Sequence, residues 1–423
     1  MTLLAAVLWG GLLAGGPVDG AAGGRLTAVC PVREDGRLAN GVTYSIESDP
    51  LASNASVRVR LSVGSADDPE QVPGLAHLIE HLLLTQTRLR LAPGRTSGTK
   101  LEELGLRLHG GTDSDVTMLT VMGRAAEVER MMWLLSEALQ VTSFDDHAVR
   151  REIDTVHNET EQEEGKLGYP ELRRLLTREG VGAIVPALRW YGTPPPRSPS
   201  TVRKRIERAL RARYARAPVH VKVLAPYPLP LLRAAIERWF GPLPARETDA
   251  EERWIFHRLG DRVRHLDQFP GTVLVIYWKG AIARDVARDA ANQLFAWMRE
   301  RLSDRLQRIG LAEASITVNW LGLPRSDQGL VKLSVDWQER RVADPETLAM
   351  RVREQVRIEL REGRTAYAER KARQRWLSQP DRCTAGQPSW AERVAPILKV
   401  VSQEDLGSLV VVGGASAGGK ERR

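Results

Sequence analysis

The sequence predicts an α+β protein built from two homologous domains, each a mostly antiparallel sheet covered by helices. Three observations lead there. The chain has 423 residues, more than one ordinary core holds, and that length favours two or three domains. Strand patterns of period two alternate with helical stretches, and the scheme of the first half is repeated in the second at similar length. Hydrophobic residues at 42% and charged residues at 27% lie in the globular range, which excludes a fibrous chain, a wholly disordered chain and a polytopic membrane protein.

The elements follow in order. Thr2–Gly16 is an apolar run followed by the small residues Ala21, Ala22 and Gly23, the form of a signal peptide over residues 1–23, so export to the periplasm or outside is expected. No Lys or Arg precedes it. Val57, Val59, Leu61 and Val63 alternate with Arg58, Arg60 and Ser62, as in a half-buried strand. After the turn Gly64–Pro73, Gly74 opens a helix over LAHLIEHLLL. A second helix is expected around Leu101–Leu108, then a Gly110-Gly111 turn and the strand VTMLTVMG. Ala125–Leu139 places Val128, Met131, Met132, Leu135 and Leu139 on one helical face, and a further helix starts near Asp145. The half closes with an arginine-rich helix, the strand VHVKVLAP and the helix PLLRAAIERWFG. The second half reads as the strand TVLVIYWKG, a long helix from about Ala283 to Leu306, the strand LVKLSVDW, a helix Pro345–Leu360, another near Ala366, and a closing strand LVVVGG. Identity between the halves is not visible. The charged stretch Arg246–Glu252 marks the boundary, which gives domains at 24–245 and 246–413 and a tail at 414–423.

Charge and cysteines exclude more than they assign. A formal charge of +8 suggests an anionic partner, but only nine of the 61 cations are Lys, and the arginines are interleaved with Glu and Asp. In RKRIERALRARYAR, Glu207 interrupts the basic run, and Ile206 and Leu210 need burial. The run reads as a solvated helix face, and no nucleic-acid partner is expected. Beyond the leader no stretch has the roughly 18 apolar residues of a membrane span. Two cysteines, Cys30 and Cys383, rule out a disulfide scaffold; they are either one pair in an oxidising compartment or two unrelated thiols.

The sharpest feature is His77-Leu78-Ile79-Glu80-His81. At this composition, H-x-x-[DE]-H arises by chance somewhere in the chain on the order of one time in fifty. On a helix, His77 and His81 are one turn apart on one face and can bind one metal ion. Glu80 shares that face and can take a proton from water beside the metal. This order is the inverted zincin motif. A hydrolytic zinc site needs a third protein ligand. The helix after Asp145 carries Glu152, Asp154, Glu159, Glu161, Glu163 and Glu164. Glu152 and Glu159, two turns apart, share a face, so Glu159 is a candidate ligand and Glu152 a supporting carboxylate, with the other acids competing for either place.

With these residues in view, the sequence resembles the pitrilysin and insulinase family of zinc peptidases, to which the mitochondrial processing peptidase belongs. The resemblance runs from LANGVTYSIESDP through RLSVGSADDPEQVPGLAHLIEHLLL to VRREIDTVHNETEQ, with weaker echoes in WYGTPPPRSPSTVRKRIERALRARYARAPVHVKVLAP and IERWFGPLP. The family places a third-ligand Glu about 75 to 80 residues after its motif, and 78 residues separate His81 from Glu159. The resemblance thereby implies His77, His81 and Glu159 as zinc ligands, Glu80 as catalytic base and Glu152 as the supporting catalytic glutamate. It also implies a metal-free second domain, a clam-shell arrangement and an extended peptide or unfolded segment as substrate, added to a sheet edge. The chain departs from the family in two places. GGTDSDVTML lacks the Asn-Ala pair that follows the double glycine, and RIGLAEASI has Glu313 where a substrate-binding Tyr is expected and Ile309 before the glycine. Family members with a complete substrate pocket carry both an Arg and a Tyr in the second domain, so a homologous partner subunit carrying the missing Arg and Tyr is expected, and the competing reading is a non-catalytic or partner-dependent subunit of a heteromeric complex.

Overall fold

The computed structural model describes residues 31–91, 101, 103–167, 170–189, 191–247, 256–266, 269, 271–281, 299, 302–308, 314–322, 328–337, 344–362 and 407–413. Six strands form the first sheet: β1 (Val32–Arg37), β2 (Thr43–Ser48), β3 (Asn54–Leu61), β4 (Leu106–Thr112), β5 (Thr117–Arg124) and β6 (Val219–Ala225). Their order is β1-β2-β6-β3-β5-β4, and every neighbouring pair is antiparallel except β2 and β6. Five strands form the second: β7 (Gly260–Leu266), β8 (Thr272–Ala281), β9 (Ser315–Gly322), β10 (Gln328–Trp337) and β11 (Gly407–Gly413). Their order is β7-β11-β8-β10-β9, with β7 and β11 the parallel pair. The second sheet thus repeats β2-β6-β3-β5-β4 strand for strand, with the parallel pair in the same place and β1 as the addition. Topology carries the duplication that residue identity does not.

Alternation decides which face of the first sheet is covered. Along β3, Ala55, Val57, Val59 and Leu61 are buried, whereas Arg58 on the other face is exposed. Helices α1 (Leu75–Leu91), α2 (Val128–Ala138) and α5 (Leu229–Phe240) lie on the apolar face. Of these, α1 packs on β4 and β5, α2 on β3 and β5, and α5 on β1 and β2. Between them in the chain come α3 (Asp146–Leu167) and α4 (Pro199–Ala209), and in the second half α6 (Pro345–Glu362). In α2, Val128, Met131, Met132 and Leu135 are buried as the helical spacing predicts, while Leu139 beyond its end is only partly so. In α4 and the wide π turn after it, Leu210–Tyr214, Ile206 and Leu210 are buried and the arginines surround them.

Two expectations are corrected around β4. The helix expected over Leu101–Leu108 ends at 103, because Gly105 takes φ +64° and turns the chain into the strand at Leu106. Gly110 and Gly111 do not form a turn; both lie within β4. The reversal comes after them, where the Asp113 N–H donates to the Val116 carbonyl at 2.9 Å. Cys30, Cys383, the leader, Ile309, Glu313, the helix near Ala366 and most of the helix expected over 283–306 lie outside the described residues; helix is described at 302–308.

The segment between α3 and α4 reaches the second sheet. It is helical from Pro170 to Ile184, with a π turn at Leu176–Val181. Its Ile184, Val185 and Leu188 form one apolar cluster with Leu259, Phe269, Val273, Val275 and Tyr277. The His257 N–H donates to the Ile184 carbonyl at 2.8 Å. A Cβ on Gly180 would lie 2.2 Å from the Tyr277 hydroxyl oxygen, so a larger residue would have to displace the Tyr277 ring or lift this turn from β8.

Candidate metal centre

The site is built on α1 where it crosses the end of edge strand β4. Gly74, with φ +74°, delivers the chain into α1, and a side chain there would strike the Thr193 carbonyl oxygen at 2.4 Å. Asp68 satisfies one of the helix's first N–H groups, accepting from Ala76 at 2.8 Å. Leu78, Ile79 and Leu82 bury one side of α1 in the core. The opposite side presents His77, Glu80 and His81 to a cleft of about 840 Å³, which Leu108, Gly110, Thr112, Glu152, Glu159 and Tyr191 also line.

Helix α3 brings the acids. Val149, Ile153 and Val156 anchor it in the first core, and α1 packs directly against it. Of the competing carboxylates, Glu159 meets both histidines. Its Oε2 lies 3.6 Å from His77 Nε2 and 3.3 Å from His81 Nε2, and the two Nε2 atoms are 3.2 Å apart. The rings meet edge to face at 4.8 Å between centroids. Two metal–ligand bonds of about 2.1 Å at a tetrahedral angle span about 3.4 Å between donors. The observed triangle therefore has the size of one face of a tetrahedral zinc sphere, and its two imidazoles and one carboxylate are the donor types zinc takes. His77, His81 and Glu159 are also the group whose ligand atoms gather closely enough to share one ion among the described residues. Glu159 is half exposed on its side chain, which leaves the fourth side open to the cleft.

Glu152 stands one step back. Its Oε2 is 3.5 Å from His81 Nδ1, the ring nitrogen facing away from the triangle. Its Oε1 accepts from the Thr85 hydroxyl at 2.9 Å and from Arg151 Nε at 3.2 Å. A carboxylate in that position fixes the ring orientation of His81 and directs its Nε2 at the metal. Glu80 is held separately. Its Oε2 accepts from the Thr112 hydroxyl at 2.9 Å, and its Oε1 sits where a Cβ on Gly110 would be, 2.2 Å away. Gly110 thus lets β4 press against the carboxylate, whereas a Cβ on Gly111 would meet nothing within 4 Å. Thr112, Thr85 and the role of Gly110 are absent from the sequence reading. Glycine inside a strand signals close approach, and that was the available clue.

Burial and charge set the protonation of the metal-free cluster. Burial, with the His81 charge in support, pulls His77 down to about 4, so its ring is neutral and ready to ligate at neutral pH. Burial pulls His81 down too, but its hydrogen bond to Glu152 and the Glu80 and Glu159 charges outweigh that and leave it raised. Burial pushes Glu80 up, opposed by the Thr112 hydrogen bond and the His81 charge. Burial would raise Glu152 as well, yet the hydrogen bonds from His81, Thr85 and Arg151 prevail and lower it. The cleft therefore joins a buried carboxylate of raised proton affinity to a three-donor cation site.

Known proteins resemble this chain in part of its sequence and in its fold. The family described as insulinase, peptidase family M16, matches residues 43–179. The β subunit of the mitochondrial-processing peptidase of Lentinula edodes is 27% identical over 141 residues, 33% of this chain and 30% of that protein. The corresponding subunit of Saccharomyces cerevisiae is 26% identical over 137 residues, 32% of this chain and 29% of that one. Protease 3 of Escherichia coli is 23% identical over 333 residues, 73% of this chain and 33% of that one. The chain spans about a third or less of the length of these curated relatives. Among solved structures, pitrilysin matches 93% of this chain and 46% of its own with a TM-score of 0.62 at 16% identity. A protease from Helicobacter pylori matches 91% and 99% with a TM-score of 0.66 at 14% identity, and a peptidase M16 inactive domain from Pseudomonas fluorescens matches 91% and 98% with 0.67 at 14%. At such identities the likeness is one of fold, and the shared fold is the two-domain α+β architecture.

Proposed function

From a chain that carries a peptidase family M16 (insulinase) domain, homologous to mitochondrial-processing peptidase β subunits and to Protease 3, we propose a zinc-dependent metalloendopeptidase acting on peptides or unfolded segments. The observation that carries this reading is the triangle of His77 Nε2, His81 Nε2 and Glu159 Oε2 with the Glu80 carboxylate beside it. Held by those three donors, zinc would polarise a scissile carbonyl and acidify a water. Glu80 removes a proton from the attacking water and returns it to the leaving amine, so it ends the cycle in its starting state. Thr112 and the face of Gly110 hold the Glu80 carboxylate in place for both transfers. Glu152 keeps the His81 ring in orientation. β4 is one of the two edge strands of its sheet and runs along the cleft, which suits an extended peptide binding as an added strand. The same reading assigns residues 24–245 to the catalytic unit and 246–413 to a metal-free homologous unit, with export through the leader. Because Ile309 and Glu313 stand where the family pattern expects other residues, a homologous partner subunit that supplies the missing Arg and Tyr forms part of this proposal.

Metal analysis combined with hydrolysis of a quenched fluorescent peptide tests it, on wild type and Glu80→Gln. Wild type should hold one zinc per chain and cleave, alone or with a homologous partner. E80Q should keep the zinc and lose about 10²-fold or more in rate. Retention of full activity by E80Q, or absence of zinc from the active protein, refutes the mechanism.

A further inference from the structure

A second cavity, of about 310 Å³, lies on the other side of α1 from the metal cleft. Leu75, Ala76 and Ile79 line it from α1, whereas His77, Glu80 and His81 line the cleft. Its far wall is α4 with the π turn that follows, the arginine-rich run that the proposed peptidase chemistry leaves unused. The space exists because Ala66, Ala76, Ala209 and Ala212 face it where larger side chains would fill the gap. Val63, Leu75, Ile79 and the buried Tyr214 give it an apolar floor.

The rim is cationic in a specific way. Two acids, Asp67 and Asp68, line the cavity as well, and both are engaged, Asp67 with Arg213, which also lines it, and Asp68 with the N–H of Ala76; Glu207 close by pairs with Arg203 and Arg211. Arg205 and Arg208, three residues apart on α4, line the cavity and make no hydrogen bond or ion pair among the described residues. We propose that this cavity is a binding site for a small carboxylic acid with an apolar body, its carboxylate held by Arg205 and Arg208 and its body on the floor of Val63, Leu75 and Ile79. Guanidinium groups match a carboxylate in planar, paired hydrogen bonds, and the volume lies at the lower end of the roughly 300–1,000 Å³ of small-molecule sites. An occupant would touch the back of the turn of α1 that carries His77 and Glu80, so the site is placed to influence the metal cleft without entering it.

The test uses N-acetyl-L-phenylalanine and its neutral amide, titrated calorimetrically into the full chain. The acid should bind wild type about tenfold or more tightly than the amide, since the difference is one charge-assisted pairing. Arg205→Gln with Arg208→Gln should abolish that preference while leaving the thermal melt and zinc content unchanged. Ala209→Leu, which fills the cavity and keeps both arginines, should weaken acid and amide alike. No binding of the acid, equal binding of acid and amide, or acid binding that survives the double arginine variant overturns the proposal. The last result would place the carboxylate in the metal cleft instead. None of these readouts depends on peptidase activity.

Discussion

Replacing Gly110 by alanine adds a single methyl group at the point where strand and base meet. The new Cβ would lie 2.2 Å from Glu80 Oε1, 2.8 Å from Glu80 Cδ and 2.7 Å from Leu84 Cδ1. Ordinary contact needs about 3.4 Å, so the carboxylate must retreat by about 1 Å or the strand must lift by as much. Gly110 does not have a positive φ, so alanine suits its backbone and the effect is steric alone. A displacement of about 1 Å from productive geometry costs about 10²-fold in rate. Overpacking costs about 1–3 kcal/mol of stability, a few degrees of Tm for a chain of this size. The three atoms nearest the methyl belong to Glu80 and Leu84 and not to a ligand side chain, so zinc content should hold. Glycine is therefore expected to outperform alanine by about two orders of magnitude in kcat/KM on a fluorogenic peptide, with zinc bound in both and melting points within several degrees. Wild-type kcat/KM in G110A would show that Glu80 does not need its place against β4, and loss of zinc would show that the substitution collapses the ligand cluster rather than moving the base.

Other expectations follow from the same contacts. Thr112→Val removes the hydroxyl donor from Glu80 while keeping the side-chain volume; since that hydrogen bond holds the carboxylate down, its loss should move the acid limb of the pH–rate profile to higher pH, and Thr112→Ser should restore it. An unchanged limb in T112V would refute the role of the hydroxyl. Asp68 is held up to about 7 by burial, against 3.8 in the unfolded chain. The folded state thus binds this proton more tightly, and the associated stability, at most about 4 kcal/mol, is fully present below about pH 4 and lost progressively as pH rises from there to about 7. Asp68→Asn keeps an acceptor for the Ala76 N–H and should narrow the Tm difference between about pH 5 and about pH 8; an unaltered difference would count against the burial. Removing metal with a chelator should lower Tm by several degrees, because an ion at 100 times its Kd stabilises by about 2.7 kcal/mol, and a Glu159→Gln variant should show a smaller shift.

How much of this was legible in the sequence depended on distance along the chain. His77, Glu80 and His81 belong to one turn of one helix, where spacing alone fixes a shared face. Glu152 and Glu159 were equally well paired on α3, but only the family spacing singled out Glu159 among its neighbours. What spacing could not show is that α1 and α3 pack side by side, which is a property of the core. The threonines at 85 and 112 carried no signal, because a hydroxyl reaching a carboxylate depends on rotamers and tertiary approach. The double glycine was visible and pointed to a turn, since Gly-Gly is most often punctuation; here the space beside Glu80 set its meaning. The sheet duplication was also open to inspection only through topology, because strand order outlasts residue identity.

The packing of residues 184–188 against β8 bears on how the chain melts. Ile184, Val185 and Leu188 lie well before the boundary stretch in sequence, yet they close the apolar cluster of the second sheet. A piece beginning at Arg246 would carry five strands with part of their cover missing, and a piece ending there would expose an apolar strap with nothing beneath it. The strap ties the two sheets together, and loosening of the second sheet should register as protection lost from amides at 184–188.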